Sequence, residues 1–332
     1  MKAEEAAKNA LVNVLEAASG ERAMIICDQE LSGIGQAFAD GAVDCGLWTR
    51  LLMLDAKKIR KDVPKEVTEI LSTQKSDIII NLLRGSAEET PFRIKLIKME
   101  RRRRIRLGHC PGITIDMLTK GALALKDDEY KKMQAFSDKL IHELMDAESL
   151  EIISPSGTEL YMSVKDRDFF TDTKLDWKTV KWMNLPVGEV IVAPVENSLN
   201  GKLVCEKAIG GVGLIKENLE IEAGEGKAKK VTSKDKGVLK RVKKALGTDS
   251  WSNTIGEFAF GLNPNARVCN EFLETEKIKG TCHIAFGNNS DFPGGKNLSF
   301  NHMDFLISKP TVEVTKRDGK RIRILASGRF KS

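Results

Sequence analysis

A-M-I-I-C (23–27), L-L-M-L (51–54) and D-I-I-I-N-L (77–82) are short apolar runs, each of strand length and too short for a core helix. Between them, I-G-Q-A-F-A-D-G-A-V-D-C-G-L-W (34–48) and V-P-K-E-V-T-E-I-L-S-T-Q-K (63–75) carry apolar residues three and four apart. That spacing gives a helix one covered face. Strand, helix, strand in this rhythm predicts a parallel sheet covered by helices. A fourth short strand is expected over 104–107, after the helix-like F-R-I-K-L-I-K-M-E-R-R (92–102). The segment 127–150 reads as one amphipathic helix with an acidic first turn, as the helix dipole favours. It closes an expected N-terminal α/β domain spanning 1–149.

Beyond that point the texture changes. E-I-I-S-P-S-G-T-E-L-Y-M-S-V-K-D-R (151–167) reads as a hairpin with Ser156-Gly157 at its turn. Short β-type runs follow at 188–194, 201–209, 211–215, 219–224, 256–261, 282–287, 302–308, 311–314 and 321–326, with one helix over 233–246. The second domain, 150–332, is therefore expected to be a β-rich α+β metal-binding domain, for reasons that lie in its side chains.

Composition narrows the classes. In 332 residues, 41% are hydrophobic, enough for two cores and too many for general disorder. No run of 18 apolar residues exists, which excludes a transmembrane helix from the expectation. The N-terminal M-K-A-E-E-A-A-K-N-A-L-V-N-V-L-E-A-A-S-G-E repeats acids at helical spacing, unlike a signal peptide, and a cytoplasmic protein is expected. Six cysteines without a C-x-x-C pair suit reduced thiols rather than a zinc knuckle or a disulfide framework. The net charge of +6 includes basic runs at 101–106 and 227–244, and neither contains an aromatic for base stacking. Both read as solvated charge, so no nucleic-acid partner is expected.

Histidine is rare, with four in the chain, and two of them fall close together near the C-terminus. His283 lies in G-T-C-H-I-A-F-G (280–287), His302 and Asp304 in N-H-M-D-F (301–305), and Glu257 in I-G-E-F-A-F-G (255–261). Residues two apart on a strand project to one face, so His302 and Asp304 can meet at a common point. An imidazole and a carboxylate so placed can supply a neutral and an anionic ligand to a divalent metal. Glycine beside each run lets backbone approach a ligand closely.

These strings, with N-L-P-V-G-E-V-I-V-A-P (184–194), E-K-I-K-G-T-C-H-I-A-F-G (276–287) and N-L-S-F-N-H-M-D (297–304), resemble the metal-dependent aminopeptidases of the aminopeptidase T and aminopeptidase S type. The resemblance implies two divalent ions (zinc, cobalt or manganese), peptide substrates and a homodimer. It implies as metal ligands Glu189, Glu257, His283, His302 and Asp304, and leaves Glu274 and Glu276 as candidates for the catalytic base. One position departs from the family, since its ligand tyrosine, seven residues beyond the first histidine, is Ser290 here. Asp291 is the nearest substitute oxygen donor; otherwise the second metal position is altered. A second class on the same scaffold, the 2,5-dihydroxypyridine dioxygenases, would use one Fe(II) held by two histidines and a carboxylate, which His283, His302 and Asp304 could supply.

Overall fold

The computed structural model describes residues 1–55, 58–101, 105–175 and 182–331. The chain forms two compact units, Met1–Gln134 with Asp172–Val187, and Ala135–Thr171 with Gly188–Ser332. The first is the α/β unit. Its five-stranded sheet runs Trp48–Leu54, Arg22–Asp28, Ile78–Leu83, Arg106–Pro111, Trp182–Asn184, every neighbouring pair parallel. The central strand Ile78–Leu83 is buried throughout, as a strand covered on both faces must be. On one face Met24, Ile26, Ile79, Leu83 and Leu107 pack with Val67, Phe92 and Leu96 from the helices Lys65–Thr73 and Thr90–Glu100.

Three boundaries differ from the sequence expectation. The helix expected over 127–150 ends at Leu144, because Asp146 takes a positive φ of 62° and Ala147–Ile153 becomes a strand. The fifth parallel strand, Trp182–Asn184, comes from far along the chain, so a single cut at 149/150 does not describe the units. The fourth strand begins, among the described residues, at Arg106; Arg104, and with it Arg102 and Arg103 of the basic run, lies outside them.

Glu100 ends its helix 2% exposed, and its carboxylate accepts one hydrogen bond, from Asn81 Nδ2 at 2.8 Å. Burial pushes its carboxyl up to about 8, against the smaller opposing effect of Asn81. The folded chain thus keeps this proton where the unfolded chain has lost it. Stability from this group is full below the unfolded pKa near 4.5 and falls as pH rises towards 8. Glu100→Gln is expected to remove a loss on the order of 4 kcal/mol between those limits. Urea unfolding at pH 5 and pH 8.5 reads it; parallel losses in both proteins would contradict the assignment.

The second unit holds two antiparallel sheets. An eight-stranded sheet runs Lys227–Ser233, Leu219–Gly224, Asn200–Cys205, Glu159–Ser163, Ala147–Ile153, Thr311–Lys316, Arg321–Ala326, Arg329–Phe330. The hairpin through Ser156-Gly157 joins two of its neighbours. The helix expected over 233–246 spans Lys236–Leu246, capped by the Asp235 carboxylate, which accepts from the Gly237 and Val238 amides. The second sheet has seven strands, Gly213–Leu214, Ala208–Ile209, His302–Ile307, Cys282–Gly287, Ile255–Gly261, Glu189–Val192, Phe170–Thr171. Its three longest strands alternate, apart from a bulge near the start of Ile255–Gly261. Phe258, Phe260, Cys282, Ile284, Phe286, Met303, Phe305 and Ile307 share one face and are buried. The other face carries the acids and imidazoles. Among the described residues, no helix is long and apolar enough to cross a membrane.

Candidate metal centre

Strand register alone gathers the predicted ligands. Asp304 pairs with Ala285, and Ala285 with Glu257. Leu306 pairs with His283, His283 with Ala259, and Ala259 with Ile191, two residues from Glu189. His302 pairs with Gly287. Side chains paired across antiparallel strands stand on the same side of the sheet, so Glu189, Glu257, His283, His302 and Asp304 share one face. Apart from Leu306 opposite His283, their paired positions there are small, Ala259, Gly261, Ala285 and Gly287.

Glu257 owes its orientation to a bulge. The register shifts between Ile255 and Glu257, because Ile255 faces Phe286 while Glu257 faces Ala285. Gly256 is the extra residue. A Cβ there would meet the Gly287 carbonyl oxygen at 2.6 Å, so only glycine lets the strand turn its next side chain to the polar face.

The donor atoms are close. His302 Nε2 lies 3.0 Å from Glu257 Oε2 and 3.2 Å from Asp304 Oδ1. His283 Nε2 lies 3.4 Å from Glu257, 3.6 Å from Glu189 and 4.0 Å from Asp304. Two groups of three emerge, Glu257 with His302 and Asp304, and Glu189 with Glu276 and His283, each with its ligand atoms within 4.8 Å of one another. Ligand bonds of about 2.0–2.2 Å around one ion require donors no farther apart than roughly 4.4 Å, so small side-chain shifts suffice. His302 Nδ1–H donates to the Asn288 carbonyl at 2.7 Å. That bond leaves Nε2 to face the carboxylates, the arrangement that orients an imidazole ligand. The donor set is oxygen and imidazole nitrogen, suited to zinc, manganese or iron. The residues fit a divalent cation.

Charge explains the site's electrostatics. Burial pulls His283 down, but Glu189, Glu257 and Asp304 outweigh it and carry it up to about 10. His302 is likewise raised well above its ordinary value, against burial, by Asp304 and Glu257. Burial alone would raise Glu257, yet the two imidazoles hold it well below the usual carboxylate range. Glu276 is displaced upward, chiefly by burial, although Lys277 pulls the other way.

The two base candidates separate. Glu276 joins Glu189 and His283. Glu274 instead accepts from the Arg267 amide at 3.2 Å and lies 3.6 Å from Cys269 Sγ, and it belongs to neither group. Ser290 donates to Asn288 Oδ1, and the exposed Asp291 enters neither group. One participant escaped the sequence reading. Lys277, 2% exposed, donates from Nζ to Glu189 Oε2 and lies 2.9 Å from Glu276 Oε1. Its only signal was adjacency to Glu276 in E-K-I-K, which reads as a solvated charge run.

The sequence profile of the thermophilic metalloprotease (M29) family matches residues 122–330. Among solved structures, the chain is similar in fold to wild-type AmpT from Thermus thermophilus, with a TM-score of 0.74, 17% identity, and coverage of 100% of this chain and 99% of that one. It is also similar to 2,5-dihydroxypyridine dioxygenase from Pseudomonas putida KT2440, with a TM-score of 0.68, 15% identity, and coverage of 99% and 97%. No curated protein matches by sequence.

Proposed function

The chain belongs to the thermophilic metalloprotease (M29) family, and on that premise we propose that it is a metallo-aminopeptidase, releasing N-terminal amino acids from peptides through metal-activated water. The observation that carries this reading is the gathering of Glu189, Glu257, His283, His302 and Asp304 on one face of adjoining strands. In this proposal those residues hold two divalent ions, of zinc, cobalt or manganese. When bound, the metal supplies water acidified towards neutrality and polarises the scissile carbonyl.

The chain's own residues do the rest. Glu276, close to Glu189 and His283, is the proposed proton acceptor for the attacking water and donor to the leaving amine. Glu274, which belongs to neither donor group, supports that role less well. Carboxylates around the centre meet the substrate's α-ammonium, which favours a free N-terminus over an internal peptide bond. His302, its side chain 34% exposed, marks the way in from solvent, while His283 and Glu189 are buried behind it. The proposal extends to a cytoplasmic homodimer. Six free cysteines suit a reducing compartment, and light scattering tests the assembly.

A second reading, an Fe(II) dioxygenase, is favoured by one observation, the closeness of His283 and His302 to Asp304. The carboxylates of Glu189, Glu257 and Glu276 beyond that trio support the peptidase instead. Protein purified without chelator is expected to carry about two zinc, cobalt or manganese ions per chain and to hydrolyse leucyl-p-nitroanilide. About one iron per chain, with oxygen consumed on 2,5-dihydroxypyridine and no anilide turnover, would overturn this in favour of the dioxygenase.

A further inference from the structure

The two groups of donors differ in one respect that their ligand lists conceal. Glu257, His302 and Asp304 form a pair of carboxylates with one imidazole. Glu189, Glu276 and His283 form the same chemical set, but Lys277 is built into it. The Lys277 ammonium donates to Glu189 Oε2 and contacts Glu276 Oε1, so it touches both carboxylates of that group and occupies lone pairs a cation would use.

The lysine is fixed by backbone, not merely drawn in by charge. The turn Phe272–Thr275 ends with the Glu276 amide donating to the Phe272 carbonyl at 2.9 Å and the Lys277 amide to Glu274 at 3.1 Å. The Lys277 carbonyl in turn accepts from the Asn263 amide at 2.8 Å. Adjacent residues on this turn thus present an acid and a base to the same buried place. Near-complete burial strengthens a like-charge effect that water would otherwise screen.

We infer that Lys277 makes the two cation positions unequal: the Glu257–His302–Asp304 position fills first, and the position at Glu189 and His283, with Glu276 beside it, accepts an ion only against the Lys277 ammonium. Solvent access works in the same direction, since His302 is partly exposed and the second group is buried. A lysine side chain in contact with both carboxylates there lets the centre switch between one ion and two as the free metal concentration changes. The inference rests on the metal reading proposed above, and it concerns how that metal is distributed.

The test is calorimetric titration of the metal-stripped full chain with zinc chloride, paired with elemental analysis after dialysis at fixed free zinc. The wild type is expected to bind one ion tightly and a second at least tenfold more weakly, within the roughly 10- to 100-fold range by which neighbouring groups alter metal affinity. Lys277→Met is expected to tighten the second phase about tenfold and leave the first in place, whereas Lys277→Arg keeps the wild-type pattern. Glu189→Gln should abolish only the weak phase and His302→Ala the tight one, which keeps the idea testable even if Lys277→Met does not fold. Two equal phases in the wild type, an unaltered second phase in Lys277→Met, or a tight phase lost in Glu189→Gln and kept in His302→Ala would overturn the inference while the metal reading stands. No zinc bound at all would remove both.

Discussion

Asp304→Ala is expected to lower kcat/KM on leucyl-p-nitroanilide by about a thousandfold, with little change in the melting temperature of the metal-stripped protein. The two halves of that expectation have different causes. The Asp304 carboxylate lies 3.2 Å from His302 and 4.0 Å from His283, so its loss removes an anionic donor from the Glu257 group and leaves two donors. A bound metal contributes several kcal/mol of transition-state stabilisation, and roughly 4 kcal/mol corresponds to a factor of about a thousand. The strand itself does not depend on the side chain. Asp304 is held by backbone, its register pair being Ala285 and its carbonyl accepting from the Gly210 amide at 2.8 Å. In the metal-free protein Asp304 pairs with His302 and His283 but repels Glu276, so the effects of its removal partly offset. Turnover within threefold of wild type, with the metal content unchanged, would exclude Asp304 from the centre.

How much of this was legible beforehand depended on whether a signal was local. His302 and Asp304 were legible because a period of two needs only three residues to declare itself. His283 was legible from rarity and flanking glycine. Glu257 was legible from its glycine-flanked run, but its side of the sheet was not, since the Gly256 bulge that turns it to the polar face breaks the alternation any strand reading relies on. Glu189 needed the resemblance. Its strand Glu189–Val192 is buried at every position, so the run looks wholly apolar but for one acid. Lys277 was illegible, because nothing local separates a buried lysine from a solvated one, and its partners include Glu189, far away in sequence.

The fold divides along the same line. Apolar runs at 23–27 and 77–82 announced the parallel sheet, because strands covered on both faces lose their alternation and stand out as blocks, while the run at 51–54 belongs to the half-exposed edge strand Trp48–Leu54. Trp182–Asn184 did not announce itself, being three residues long and joined to its neighbours only by tertiary pairing. The helix that should have run to 150 stopped at Leu144 because Asp146 adopts a left-handed φ, a conformation aspartate tolerates without advertising it.

Gly287→Ala is the substitution expected to disturb both stability and activity most through backbone alone. Gly287 has a φ of +117°, a region L side chains rarely adopt, and a Cβ there would run into the Asn301 carbonyl oxygen. The neighbouring backbone cannot yield cheaply, because the Asn288 amide donates to that same Asn301 carbonyl at 2.7 Å and the Gly287 amide donates to Thr254 at 2.8 Å. Asn297 Nδ2 also donates to the Gly287 carbonyl at 3.0 Å, and Asn301 Nδ2 to Phe286 at 3.2 Å. Backbone strain of about 1–3 kcal/mol and overpacking of about 1–3 kcal/mol together predict a loss on the order of 4 kcal/mol. In a unit of this size that lowers the melting temperature by roughly 10 °C. Gly287 faces His302 across the strand pair, so any relief by separating the strands carries the His302 imidazole away from Glu257, and turnover should fall with stability. Gly211→Ala is the matched control, since Gly211 also has a positive φ, of 72°, but nothing within 4 Å of the added carbon. It should lose only the strain. Calorimetry on both variants separates the two costs, and a Gly287→Ala protein melting no lower than Gly211→Ala would show that the strands at His302 part more freely than their hydrogen bonds imply.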